Sequence, residues 1–334
     1  MLSISLVLIV VLALSFDFIN GFHDTANTIA TSISTRVLTP RIAIAMSAIF
    51  NFIGALTNQK VAGSVANEIV NNKMIGLQVV IAALISAIIW NLATWYFAIP
   101  SSSSHALFGS IIGAAVAYTS SFDVLKWGGI LKKILIPLFS APVIGFILGY
   151  LIMNLLNICL KRASPQFVNK WFSKLQILSA ASMSFSHGSN DAQKSMGIIT
   201  LALIVSNMNN GSVHTPYWVI VICAVAMALG TSVGGWRIIK TVGVNIMKMK
   251  PIDGFAAQTG SAIIIDVMTR LGNPVSTTQI ITTSIMGIGA SKRLSAVKWP
   301  MAFKILQSWL LTIPTTVVLG ALVSLLVKLI ATSI

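Results

Sequence analysis

Residues 18–27 read FINGFHDTAN, a stretch that sets one carboxylate and several amides inside an otherwise apolar run. At residues 185–194, 167 positions later, the chain reads FSHGSNDAQK, so that Phe18, Gly21 and Asp24 are answered by Phe185, Gly188 and Asp191. A polar motif repeated in both halves of an apolar chain implies two stretches that face each other at the middle of a membrane.

The composition fits that setting. Of 334 residues, 56% are hydrophobic and 9% charged, and the mean hydropathy is +0.89, whereas roughly one-quarter of the residues in soluble domains are charged. A crossing helix needs about 20 mostly apolar residues, so the chain has room for about 10–12 transmembrane or re-entrant helical segments. The expectation is an all-α polytopic membrane protein with broken helices at the midplane; the apolar runs are too long and uniform for barrel strands. A net charge of +15 would suit nucleic acid, but the 22 basic residues lie mainly in short loops beside apolar runs, where they act as topology signals. No nucleic-acid partner is expected. Cys159 and Cys223 sit in apolar segments without disulfide or metal-ligand spacing, and no cofactor is expected. Residues 2–14 are apolar but lack a basic region before them and a clear cleavage site after them, so they read as membrane segment rather than signal peptide.

A second motif is also repeated. Pro100, Ser102, Ser103, Ser104 and His105 are matched 174 residues later by Pro274, Ser276, Thr277, Thr278 and Gln279, and Ser110 and Gly113 by Ser284 and Gly287. Two motifs in the same order make an internal duplication. Residues 1–160 form an N-terminal repeat, 161–174 a basic cytoplasmic linker and 175–334 a C-terminal repeat. Arg36 and Arg41 follow the first motif, whereas Lys161, Arg162, Lys170 and Lys174 precede the second. With both clusters cytoplasmic, the motif segments run in opposite directions and the repeats are inverted. Lys126, Lys132 and Lys133 then fall outside, against the rule. Leu2 to Thr35 is expected to be a tilted or broken helix, and Arg237 to Lys250 a basic loop.

On a helix, Asn20, Asp24, Asn27, Thr28 and Thr31 share one face, and His187, Asp191, Lys194 and Ser195 share the equivalent face in the second half. With only seven acidic residues in the chain, placing one in each motif is costly unless it meets water, a cation or a partner. A structural pairing or a helix cap is the plainer alternative. Carboxylate, amide, hydroxyl and freed carbonyl oxygens are hard ligands suited to alkali cations or protons, and Gly21 and Gly188 would let the helices open and release carbonyls. The hydroxyl clusters suggest an anion. A proline followed by serines or threonines at a helix start supplies hydroxyls and unpaired N–H groups at the positive end of the dipole, although such hydroxyls also cap helix breaks. An anion beside two aspartates is opposed by about 4 kcal/mol per like-charge pair about 4 Å apart, even at an effective dielectric near 20. Lys194 offsets part of this, and bound cations would supply the rest, which itself would couple anion to cation entry. An intramembrane Ser104–His105–Asp24 triad is disfavoured, because neighbouring residues do not face each other on a helix and Gln279 replaces the histidine in the copy. No enzyme activity is expected.

GFHDTANTIATSISTRVLTP, residues 21–40, and FSHGSNDAQKSMGII, residues 185–199, resemble the paired signature motifs of the PiT family of inorganic phosphate transporters. The resemblance implies phosphate as substrate, uptake driven by Na+ or H+, inverted repeats and often a homodimer. It also implies essential Asp24 and Asp191, with Asn27 and Lys194 beside them, and it sets Glu68 where the family tends to carry a functional glutamate. The expected protein is therefore a multi-pass cell-membrane symporter with alternating access around a midplane site. Phosphate would be held by Ser101, Ser102, Ser103, Ser104, Val275, Ser276, Thr277 and Thr278, with Thr25 and Lys194. Asn20, Asp24, Asn27, His187, Asn190 and Asp191 would serve the coupling ion, and Glu68 and Gln279 gating or coupling. Na+ is preferred because amides and hydroxyls flank each aspartate. Symport of phosphate or metal-phosphate with H+, sulfate transport and a passive anion channel are the alternatives.

Overall fold

The computed structural model describes residues 4–208, 214–235, 239 and 246–333. The described chain is helical: α1 Ile4–Ser34, α2 Pro40–Ala55, α3 Lys60–Asn67, α4 Leu77–Tyr96, α5 Ser103–Thr119 and α6 Trp127–Cys159, then α7 Pro165–Val205, α8 Tyr217–Val233, α9 Pro251–Arg270, α10 Thr277–Lys292 and α11 Trp299–Ser333. Most of the basic loop expected from Arg237 to Lys250 lies outside the described residues. Among those described, α1, α4, α6 and α11 are each long and apolar enough to cross a membrane, and α2 and α3 form a further apolar pair bent by 69°. The stretch 161–174, expected as a linker, is helical from Pro165 onward, where Ser164 caps the 41-residue α7 by accepting from the Phe167 N–H.

The first segment, expected as tilted or broken, is one uninterrupted 31-residue helix. Gly21 and Gly188 do not open their helices. Their hydrogens instead admit a neighbouring backbone: a Cβ on Gly21 would stand 2.5 Å from the Met227 carbonyl of α8, and one on Gly188 would strike the Asn51 carbonyl of α2. Reciprocally, Gly54 of α2 packs on the Phe185 carbonyl, and Gly230 of α8 on the Phe18 carbonyl. These four approaches clamp α1 to α8 and α7 to α2. Gly54→Ala is expected to destabilise the fold by about 1–3 kcal/mol through overpacking. Gly128→Ala should be near neutral, since a Cβ there meets nothing within 4 Å. Thermal unfolding in detergent checks this, and equal midpoints for the two variants would contradict the clamp.

The helix breaks fall elsewhere. Pro100 and Pro274 each precede a new helix, α5 and α10, because a ring nitrogen without N–H and a fixed φ interrupt the preceding ladder. Ser102 and Ser276 cap these helices from matching extended conformations, accepting from the N–H groups of His105 at 3.3 Å and Gln279 at 3.4 Å. Three lysines near the breaks have structural partners. Lys133 Nζ donates to Asn273 Oδ1 at 2.9 Å and to the Gly272 carbonyl at 3.3 Å, Lys126 Nζ to the Asn67 carbonyl at 2.6 Å and Lys60 Nζ to the Arg270 carbonyl at 3.1 Å. Cations at the ends of α3 and α9 satisfy carbonyls that have no intrahelical partner, which gives a structural role to Lys126 and Lys133, two of the three lysines that the topology rule does not place.

The apolar core divides into two clusters. One takes Leu6, Ile9 and Phe16 of α1 with Ala192, Met196 and Ile199 of α7; the other takes Ala26, Ile29 and Ala30 of α1 with Met183 of α7. The polar stretches of α1 and α7 thus lie between two apolar layers.

Candidate functional site

Helical spacing puts Asn20, Asp24 and Asn27 of α1 on one buried face, with Asp24 only 2% exposed. The same spacing on α7 buries His187, Asp191 and Lys194, each at 0%. The two faces meet: ligand atoms of Asp24, His187 and Asp191 lie within 4.8 Å of one another. The starts of α5 and α10 converge on this point. Ser104 Oγ donates to the Val275 carbonyl at 3.1 Å, joining the two hydroxyl clusters directly.

The hydroxyls are not separate from the carboxylates. Ser103 Oγ lies 2.8 Å from Asn20 Oδ1 and in close contact with Asp24 Oδ2, so its single proton is directed at that pair. From the other half of the chain, Thr278 Oγ1 donates to Asp24 Oδ1 at 3.2 Å and accepts from Asn27 Nδ2 at 2.7 Å. His23 Nδ1 stands 2.8 Å from the same Asp24 Oδ1. Asp24 therefore gathers donors from α1, α5 and α10. These are charge-assisted hydrogen bonds, worth roughly 1.5–3 kcal/mol each.

Asp191 is served differently. Lys194 Nζ bonds Asp191 Oδ1 at 2.6 Å and the Val275 carbonyl at 3.3 Å. Asn190 Oδ1 accepts from the Val275 N–H at 3.3 Å, and its Nδ2 donates to Thr269 Oγ1 at 2.8 Å. Thr231 Oγ1 donates to the Met227 carbonyl at 2.9 Å, so it accepts from Asn51 Nδ2 at 2.9 Å, and Asn51 Oδ1 in turn accepts from His187 Nδ1 at 3.0 Å. That order leaves His187 Nε2 as an acceptor facing Asp191 Oδ2 across 3.4 Å, and among the described residues neither atom has a hydrogen-bond partner. Asn27 Oδ1 is likewise without a partner. The His187 lone pair and the carboxylate oxygens of Asp24 and Asp191, within 4.8 Å of one another, make a set that a small cation would satisfy.

Other expected site residues have other partners or none among the described residues. Thr25 turns toward α8, where its Oγ1 lies 2.9 Å from Thr231 Oγ1. Ser101 Oγ donates to Thr94 Oγ1 at 3.0 Å, while Ser102 and Ser276 are engaged as helix caps. Thr277 Oγ1 and Gln279 Oε1 are buried and have no partner among the described residues. Glu68 is surface-accessible, 43% exposed, and 3.9 Å from Lys133. Sequence reasoning passed over Asn51, Thr231 and Asp17. Each is a buried polar residue in an apolar run, a signal readable in the sequence, but none belongs to a repeated motif.

Residues 20–320 match the model of the phosphate transporter family. A protein of Bacillus subtilis (strain 168), described as a probable low-affinity inorganic phosphate transporter, is 48% identical over 326 residues, covering 97% of each chain. A protein of Rhizobium meliloti (strain 1021) with the same description is 45% identical over 318 residues, covering 95% of each. Among solved structures, one titled "The sodium-dependent phosphate transporter" shares the fold, with a TM-score of 0.90 at 22% identity over 98% of this chain and 100% of that one.

Proposed function

The chain belongs to the phosphate transporter family, and on that premise we propose that this multi-pass cell-membrane protein imports inorganic phosphate by symport with Na+. The observation that carries the coupling is that Asp24 binds the phosphate-type donors itself: Ser103 and Thr278, from the two hydroxyl clusters, both spend their protons on its carboxylate. A cation arriving at Asp24 takes over the charge those hydroxyls neutralise. Ser103 and Thr278 can then turn their protons to an oxyanion, beside the ammonium of Lys194 and the N–H groups at the starts of α5 and α10. Cation entry thus prepares the anion site, and the anion in turn lowers the cost of holding the cation.

Na+ as the coupling ion draws support from the carboxylate and amide oxygens of Asp24, Asn27 and Asp191, and from the sodium dependence named for the solved neighbour. Inverted repeats draw support from the reciprocal glycine contacts of Gly54 with Phe185 and Gly230 with Phe18. Alternating access would use the paired breaks at Pro100 and Pro274. A homodimer rests on the family resemblance, and the mass of the detergent-solubilised protein tests it.

Initial rates of radiolabelled phosphate uptake into proteoliposomes, with Na+ replaced in turn by K+ and choline, test the ion. Uptake that is equal in all three would remove the Na+ assignment, and full inhibition by equimolar sulfate would remove the phosphate preference. Ser103→Ala is expected to lower uptake by about 10–100-fold, the loss of one hydrogen bond to a charged group. A rate unchanged from wild type would separate Ser103 from the transport step.

A further inference from the structure

Asp17 is a buried carboxylate that the symport cycle does not use. It lies two helical turns before Asp24 on the same face of α1, is 0% exposed, and among the described residues neither of its oxygens has a hydrogen-bond partner. Ser195 of α7 and Cys223 of α8 face it. Ser195 Oγ also has no partner among the described residues.

The other half of the chain shows what this position does without a charge. The Phe18 and Phe185 contacts relate α1 to α7 by 167 residues, and the Gly54 and Gly230 contacts relate α2 to α8 by 176. Under these offsets Asp17, Ser195 and Cys223 correspond to Ser184, Thr28 and Ser47. That second trio is a satisfied hydroxyl cluster: Ser47 Oγ donates to Ser184 Oγ at 2.9 Å, Ser184 donates to the Ala180 carbonyl at 2.9 Å, and Thr28 donates to the Thr25 carbonyl at 2.9 Å. A carboxyl therefore stands where its counterpart is a neutral serine.

Among the described residues, no unpaired positive charge faces Asp17. Asp191 and Lys194 of α7 are the charged groups that act on it, and the Lys194 ammonium is engaged with Asp191 at 2.6 Å. On α1 itself, His23 is bonded to Asp24, and His187 of α7 is bonded to Asn51. Helix α4 carries no acid, base or histidine, α2 only the exposed Arg41, and α8, besides the thiol of Cys223, only the exposed Tyr217. The charged groups of α9 and α10 that are paired, Asp253 with Lys292 and Asp266 with Arg270, satisfy each other. A bare carboxylate in such a setting is too costly to persist. An alkali cation would require several oxygens, whereas two carboxylate oxygens and one hydroxyl are at hand beside a soft thiol.

We propose that Asp17 binds a proton, at a site in one half of the chain only and separate from the Asp24–Asp191 cation site. Resting on the symport reading, the proposal makes this proton a second charge that moves with phosphate import: it is held while the trio is closed to water and released when the repeats rearrange.

Infrared spectra of the full chain in lipid, in choline medium, should contain the C=O stretch of a protonated carboxylic acid. Asp17→Asn and Asp17→Ser should each remove that band, and Asp17→Glu should keep one at a shifted position. In vesicles driven by a fixed Na+ gradient, adding an inward proton gradient should raise wild-type phosphate uptake, and both neutral variants should keep the Na+-driven uptake while losing the increment. A wild-type spectrum without the band, or a band unchanged in both neutral variants, overturns the proposal. So does a band that vanishes when Na+ replaces choline, which would assign the site to a metal cation. Wild-type vesicles that take up no phosphate would overturn the symport reading instead, and the infrared band would still decide whether Asp17 holds a proton.

Discussion

Asp24→Asn is expected to abolish cation-driven phosphate uptake while leaving a folded protein. The carboxylate receives Ser103 and Thr278 and lies beside His23, so an amide replaces one acceptor oxygen by a donor that faces other donors, and it removes the charge that attracts the cation. Losing the attraction between the carboxylate and a cation about 4 Å away, about 4 kcal/mol at an effective dielectric near 20, amounts to more than a hundredfold in rate. Initial uptake rates, beside size-exclusion profiles that report the fold, check this. A variant within about twofold of wild type would show Asp24 to be a structural group.

Lys194→Met is expected to remove both stability and transport. Its ammonium, fully buried, is 2.6 Å from Asp191 Oδ1, and removing one partner leaves an uncompensated buried charge at a cost of about 3–5 kcal/mol. Asp191→Asn combined with Lys194→Met should recover most of that stability, since replacing both partners removes the unpaired charge, yet it should not recover uptake. Thermal unfolding in detergent and uptake assays separate the two effects. A single variant as stable as wild type would mean that Asp191 finds its countercharge elsewhere.

Much of the site was legible because helical periodicity and repetition both act on single residues. Asn20, Asp24 and Asn27, and His187, Asp191 and Lys194, fall on one face each by spacing alone, and the prolines at 100 and 274 mark where α5 and α10 begin. What the sequence could not show was which groups meet across elements. A glycine loosens a helix, so the sequence alone suggests opening at Gly21 and Gly188, whereas the neighbouring carbonyls of Met227 and Asn51 fill the space and α1 and α7 run uninterrupted through the motif. The division of labour between cation-binding aspartates and anion-binding hydroxyls was likewise drawn too sharply, since Ser103 and Thr278 bond Asp24 itself. By the topology rule Lys133 is a misplaced charge, whereas in the fold its ammonium serves the carbonyl and amide oxygens of Gly272 and Asn273 just past the end of α9. Asp17 went unremarked because its counterpart in the second repeat is Ser184, so no repeated motif pointed to it.

The central claim is that cation and phosphate move together through one site. Proteoliposomes loaded with a low phosphate concentration and given an inward Na+ gradient test it most directly, with the internal phosphate followed before and after an ionophore collapses the gradient. The account predicts accumulation above the external concentration that drains away once the gradient is gone. Internal phosphate that only equilibrates with the outside, with or without the gradient, would contradict it and mark the protein as a passive pore.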